Sequence, residues 1–159
     1  SQLQIIGRMI CSQTFNSHNG IDTAYIYIWL SKFHSVVYVG MTNNSCGPIG
    51  RAQGHFNNKG TFRRRFLERR GFGIEKVLDM TLLSFPLPKK REYTGLESSY
   101  RESVEYLVRK ELLINRKNLN PTFDIISWHD RFPRRTGNSE VKNLATQIVS
   151  DFVKEYSNF

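Results

Sequence analysis

The sequence predicts a mixed α+β domain, and three observations predict it. A β-rich hairpin is read over residues 24–30 and 35–41, where Tyr-Ile-Tyr-Ile-Trp-Leu and Val-Val-Tyr-Val-Gly flank the polar break Ser31-Lys32-Phe33-His34-Ser35. Helical periodicity runs from 96 to 118, where Tyr100, Val104, Leu107, Val108, Leu112 and Ile114 recur mostly every three or four residues. A second apolar stripe of Val141, Leu144, Ala145, Ile148, Phe152 and Tyr156 predicts a closing helix capped by Asn138 or Ser139. The 159 residues fit one domain, 1–159, with no internal repeat or linker. A chain of this size buries roughly 70% of its unfolded surface, so it needs no metal or disulfide staple to fold.

The remaining elements follow in order. Residues 3–10 read as a short strand or a helix, and periodicity does not decide between them. Asn16 to Gly20 reads as a loop, with His18 solvated. Residues 42–48 form turns throughout. A helix then starts near Pro48 or Ile49 and carries Arg51 and His55 on one face, four residues apart. Thr61 is placed to cap a second helix from Phe62 to Arg70, ended by Gly71, with Phe62, Phe66 and Leu67 on one side. A third strand is expected within 74–84, and Pro86 and Pro88 mark the loop after it. Asn120-Pro121 ends the long helix. Trp128-His129-Asp130-Arg131 reads as a loop that packs its Trp.

The formal charge is +9, which favours a polyanionic partner, nucleic acid first. The charge is clustered. From 51 to 70 the basic residues are Arg51, Lys59, Arg63, Arg64, Arg65, Arg69 and Arg70, with Glu68 as the only acid. Lys89, Lys90 and Arg91 form a second basic group, and Arg131, Arg134 and Arg135 a third. These groups are candidate phosphate contacts. Cys11 and Cys46 stand alone, which excludes a paired-cysteine zinc site, argues against a disulfide framework and points to a reducing intracellular setting, with a cytoplasmic location expected. No run is long and apolar enough to span a bilayer and no signal peptide is visible, so no membrane partner is expected. The chain begins at Ser1, as a trimmed or excised segment would.

Two phenols on one hairpin face, Tyr27 and Tyr38, followed by Gly40 and then Arg51 on a helix, mark a candidate site. This order resembles the signature of the GIY-YIG nuclease superfamily. Tyr25-Ile26-Tyr27 stands as the first half-motif and Tyr38-Val39-Gly40 as the second, with ten residues, Ile28 to Val37, between the key tyrosines. Tyr25 replaces the usual Gly, and Val39 replaces Ile. The resemblance covers about residues 24–124 and implies a small three-stranded antiparallel sheet flanked by helices. It also implies a bacterial or phage-encoded endonuclease that hydrolyses DNA with one Mg²⁺ or Mn²⁺ ion and no small-molecule cofactor.

A hard cation needs an oxygen ligand, and several glutamates compete. The resemblance points to Glu111, because Pro121-Thr122-Phe123-Asp124 follows it where the family shows Pro-x-aromatic-Asn. Asp124 stands for that Asn, with Asn120 as the alternative source of a side-chain amide. Glu105 is the second candidate and lacks the correctly spaced Pro. In the implied mechanism Tyr27 or His55 is the general base, Tyr38 orients water or phosphate, Arg51 binds a non-bridging oxygen and Glu111 holds the metal. Restriction-type cleavage is the first expectation, and double-strand cutting is then served by a homodimer with the last helix as contact. A nuclease domain of a larger repair, mobile-element or phage-defence protein, and a non-catalytic nucleic-acid-binding module, are the alternatives.

Overall fold

The computed structural model describes residues 22–57, 59–127 and 131–159. The strand-or-helix reading of 3–10, the loop with His18, Cys11, and the turn at Trp128, His129 and Asp130 lie outside the described residues.

The fold is mixed α+β. β1 (Tyr25–Ser31) and β2 (Val36–Thr42) form the expected hairpin, and β3 (Thr81–Pro86) pairs antiparallel with β1. The sheet is not purely antiparallel and has a fourth strand. β4 (Asp124–Ile125) runs parallel to β2, which gives the order β3-β1-β2-β4. Only two residues long, it is fixed by backbone bonds from Asp124 N to Ser35 O and from Ile126 N to Val37 O, both 2.9 Å. Pro86 is tolerated because it ends β3, an edge strand.

The two faces of the sheet bury different layers. Ile26, Ile28 and Leu30 point to one face, where they meet Val104, Val108 and Leu112 of α4 (Ser99–Asn115) and Ala145, Ile148 and Phe152 of α5 (Ser139–Tyr156). Tyr27, Trp29 and Tyr38 point to the other, against Phe62 and Phe66 of α2 (Thr61–Arg70). α1 (Gly47–Phe56) lies beside them, and the one-turn helix α3 (Arg91–Thr94) precedes α4. This is the period-two alternation of strands buried on both sides.

Several local expectations shift. Gly60, not Thr61, occupies the N-cap of α2, and Leu67 is half exposed; Gly71 ends the helix at φ 75°, as a left-handed C-cap requires. Residues 74–76 form a 3-10 turn instead of strand. Ile114 is 63% exposed and leaves the α4 stripe, and residues 116–118 continue that helix as a 3-10 turn. Asn138 caps α5 through its side chain, which accepts from Val141 N. The α5 stripe is consumed inside this chain: Val141, Ala145, Phe152 and Tyr156 are buried in the core. It is therefore no longer a free face for a dimer.

Candidate active site

The hairpin register sets the site. Tyr27 faces Gly40 across β1 and β2, two positions along from the Trp29–Tyr38 pair. A Cβ on residue 40 would lie closer than 3.0 Å to the far end of the Tyr27 ring, so Gly40 is the residue that lets this phenol lie flat over its partner strand. Both phenols are buried.

α1 delivers the next two groups. Arg51 and His55 stand one helical turn apart, as the sequence predicts. His55 is buried, and its Nε2 is in short hydrogen-bond contact with the Tyr27 hydroxyl. Its ring sits edge-on to Tyr27 at 5.4 Å and to Tyr38 at 5.2 Å. Burial, reinforced by the Arg51 charge, pushes the imidazole pKa down to about 4. His55 is therefore neutral at pH 7, and in its Nδ1–H tautomer Nε2 accepts from the Tyr27 hydroxyl. Burial raises the Tyr27 pKa, helped by neighbouring Tyr38 and Glu105, while a hydrogen bond from Arg51 and its charge work in the other direction. Burial also raises Tyr38, with Arg65, Arg51 and Arg109 opposing and Glu105 adding.

A carboxylate also acts on both phenols: Glu105, 3% exposed on α4. Glu111 does not stand with them: its carboxylate accepts from Thr146 Oγ1 of α5 at 3.0 Å. Six residues turn an α-helix through about 240°, so the two glutamates lie on different faces of α4.

Sequence reasoning missed Arg109, one turn after Glu105 and 7% exposed. Burial lowers its pKa and Glu105 raises it. The readable signal was the Glu-to-Arg spacing of four on the flank of an apolar stripe. Arg65, expected only on the DNA-contacting surface, instead has its charge felt by Tyr38 and Arg109.

Asp124 is no supporting residue here. It sits at the Val36 end of β2, and its carboxylate binds Arg70 at 3.0 Å and Arg116 at 3.8 Å. Asn120 is exposed. The basic surface divides as well. Arg63 is paired with Glu75, Arg64 approaches Glu68 at 3.8 Å, and Lys90 binds Glu140 at 3.0 Å. Arg135 lies over the Tyr100 ring at 5.1 Å. Lys59, Arg69, Lys89, Arg131 and Arg134 are exposed.

Among the described residues no helix is long and apolar enough to cross a membrane, and no group of three His, Cys, Asp or Glu side chains is placed to hold a metal. No protein-family model matches this chain, and no curated protein or solved structure matches it.

Proposed function

We propose that this chain is an endodeoxyribonuclease of the GIY-YIG kind that hydrolyses phosphodiester bonds with one divalent ion, Mg²⁺ or Mn²⁺, and that Glu105 is its acidic residue. One observation carries the reading. Two phenols, a neutral imidazole, a guanidinium and a carboxylate from β1, β2, α1 and α4 converge on the Tyr27 hydroxyl. Packing alone does not call for so many polar groups around one buried phenol.

The donor set suits the implied ion. Mg²⁺ keeps several waters and takes one or two carboxylates together with substrate phosphate oxygens, so a site with a single carboxylate is sufficient. Glu105 would hold the ion, whose contribution when bound is to neutralise charge on the phosphate and the leaving 3′ oxygen.

The side chains supply the rest. Neutral His55 Nε2 accepts the Tyr27 proton while the Tyr27 oxygen takes one from the attacking water. The new P–O bond forms as the bond to the 3′ oxygen breaks. Tyr38 orients the water, and Arg51 binds a non-bridging oxygen, for which its planar fork is suited. Arg65 and Arg109 add positive charge behind Tyr38.

A digest of mixed DNA with and without Mg²⁺, followed by sequencing of the ends, tests this reading. The ends also separate restriction-type cleavage, with one recurring sequence, from sequence-indifferent cutting by a domain of a larger protein. Arg51→Ala is expected to slow cleavage by about 10²–10³, the usual loss for one charge-stabilising donor. Near-normal cutting by that variant removes Arg51 from the mechanism.

A further inference from the structure

A cleft of about 960 Å³ has Glu105 and Arg109 in its wall. Its other lining comes from the 131–135 segment, from Glu97 just before α4 and from Glu102 in its first turn. Phe132 is 71% exposed there, and its ring stands edge-on to Tyr106 at 5.2 Å. The Arg109 guanidinium lies 6.0 Å over the same Tyr106 ring. Arg109 is 7% exposed, yet its Nε finds no hydrogen-bond partner among the described residues. Arg131 and Arg134, both exposed, line it as well.

The ligand that matches this lining has three distinct parts. An anionic edge suits Arg109, Arg131 and Arg134. Hydrogen-bond donors suit Glu97 and Glu102, as base amino groups do. A flat π face suits the open side of Phe132. A nucleotide has all three. A base inside a duplex has its faces covered by its neighbours, so only an unpaired base can lie on Phe132.

We infer that this cleft binds one unpaired nucleotide beside the phosphate handled at Tyr27 and Glu105, with its base stacked on Phe132 and its phosphate held by Arg109, Arg131 and Arg134. The inference rests on the nuclease reading, because Glu105 is common to both sites. It makes a strand with an unpaired base at the cut the preferred substrate.

Fluorescence anisotropy in EDTA separates binding from cleavage. The probes are a short labelled single strand and a blunt duplex of the same sequence. Phe132→Ala is expected to weaken single-strand binding about 5- to 150-fold, the range for losing one base–aromatic stack, and to leave duplex binding within about twofold. Phe132→Trp keeps the stacking surface and should restore single-strand affinity. Because residue 132 is exposed, both variants should melt like the wild type. Unchanged single-strand affinity in Phe132→Ala, or equal losses on both probes, overturns the subsite. Absence of single-strand binding by the wild type overturns it too. Selective loss in Phe132→Ala, with no Mg²⁺-dependent cleavage by the wild type, leaves the cleft standing and removes the nuclease reading alone.

Discussion

Gly40→Ala adds one methyl group where the Tyr27 phenol already lies. The two residues face each other across the hairpin, and the new Cβ would come within 3.0 Å of Cζ, Oη and Cε2 of the ring. Gly40 has no left-handed backbone, so the cost comes from contact and not from conformation. Overpacking of this kind costs about 1–3 kcal/mol. For a chain of this length each kcal/mol moves Tm by about 2–4 °C, so a fall of roughly 2–12 °C is expected. Relief requires the ring to swing away, which breaks the contact between the Tyr27 hydroxyl and His55 Nε2. A shift of about 1 Å in a reacting group can cost about 10² in rate. Thermal melts and single-turnover nicking read the two effects. The control is Tyr27→Val, which removes the ring atoms that the methyl meets. In that background Gly40→Ala should be neutral within about 0.5 kcal/mol. Equal destabilisation in both backgrounds would refute the proposed packing of Tyr27 over Gly40.

Two further outcomes follow from the same geometry. His55 has its folded pKa lowered from 6.5 to about 4, so the unfolded chain binds the extra proton first as pH falls. Its contribution to stability is complete above pH 6.5 and is lost between 6.5 and 4, by roughly 3 kcal/mol over the window. Urea melts across that range should show this slope in the wild type and not in His55→Gln; an identical slope in both contradicts the buried neutral imidazole. Arg70, though part of the basic run, is a structural residue, with its guanidinium bonded to His34 O, Ser35 O and Asp124 at 3.0, 2.9 and 3.0 Å. Arg70→Ala should cost about 1–3 kcal/mol in stability. Cleavage and DNA affinity should be unchanged below its melting range, and a selective loss of DNA affinity would return Arg70 to the binding surface.

Much of the candidate site was legible because it is local. Tyr27 and Tyr38 share a face by strand alternation and hairpin register, and Arg51 and His55 share one by helical spacing. Asn138 declared the start of α5 through its own side chain. What was not legible depends on tertiary packing. β4 has two residues, too few for any period, and exists only because β2 offers it free carbonyls. The choice between Glu105 and Glu111 depends on which flank of α4 meets β2 and which meets α5. Both flank the same apolar stripe, and only the packing of α5 against Glu111 through Thr146 settles which flank is which. Within the basic run from 51 to 70, Arg63 and Arg70 meet Glu75 and Asp124, carboxylates outside the run that its own composition does not reveal.

The most direct test of the account compares Mg²⁺-dependent nicking of plasmid DNA by the wild type, Glu105→Gln and Glu111→Gln, with DNA binding measured alongside. The account predicts nicking by the wild type and by Glu111→Gln. It predicts a loss of at least about 10² in Glu105→Gln with DNA binding retained. Full activity in Glu105→Gln, or no nicking by the wild type, contradicts it.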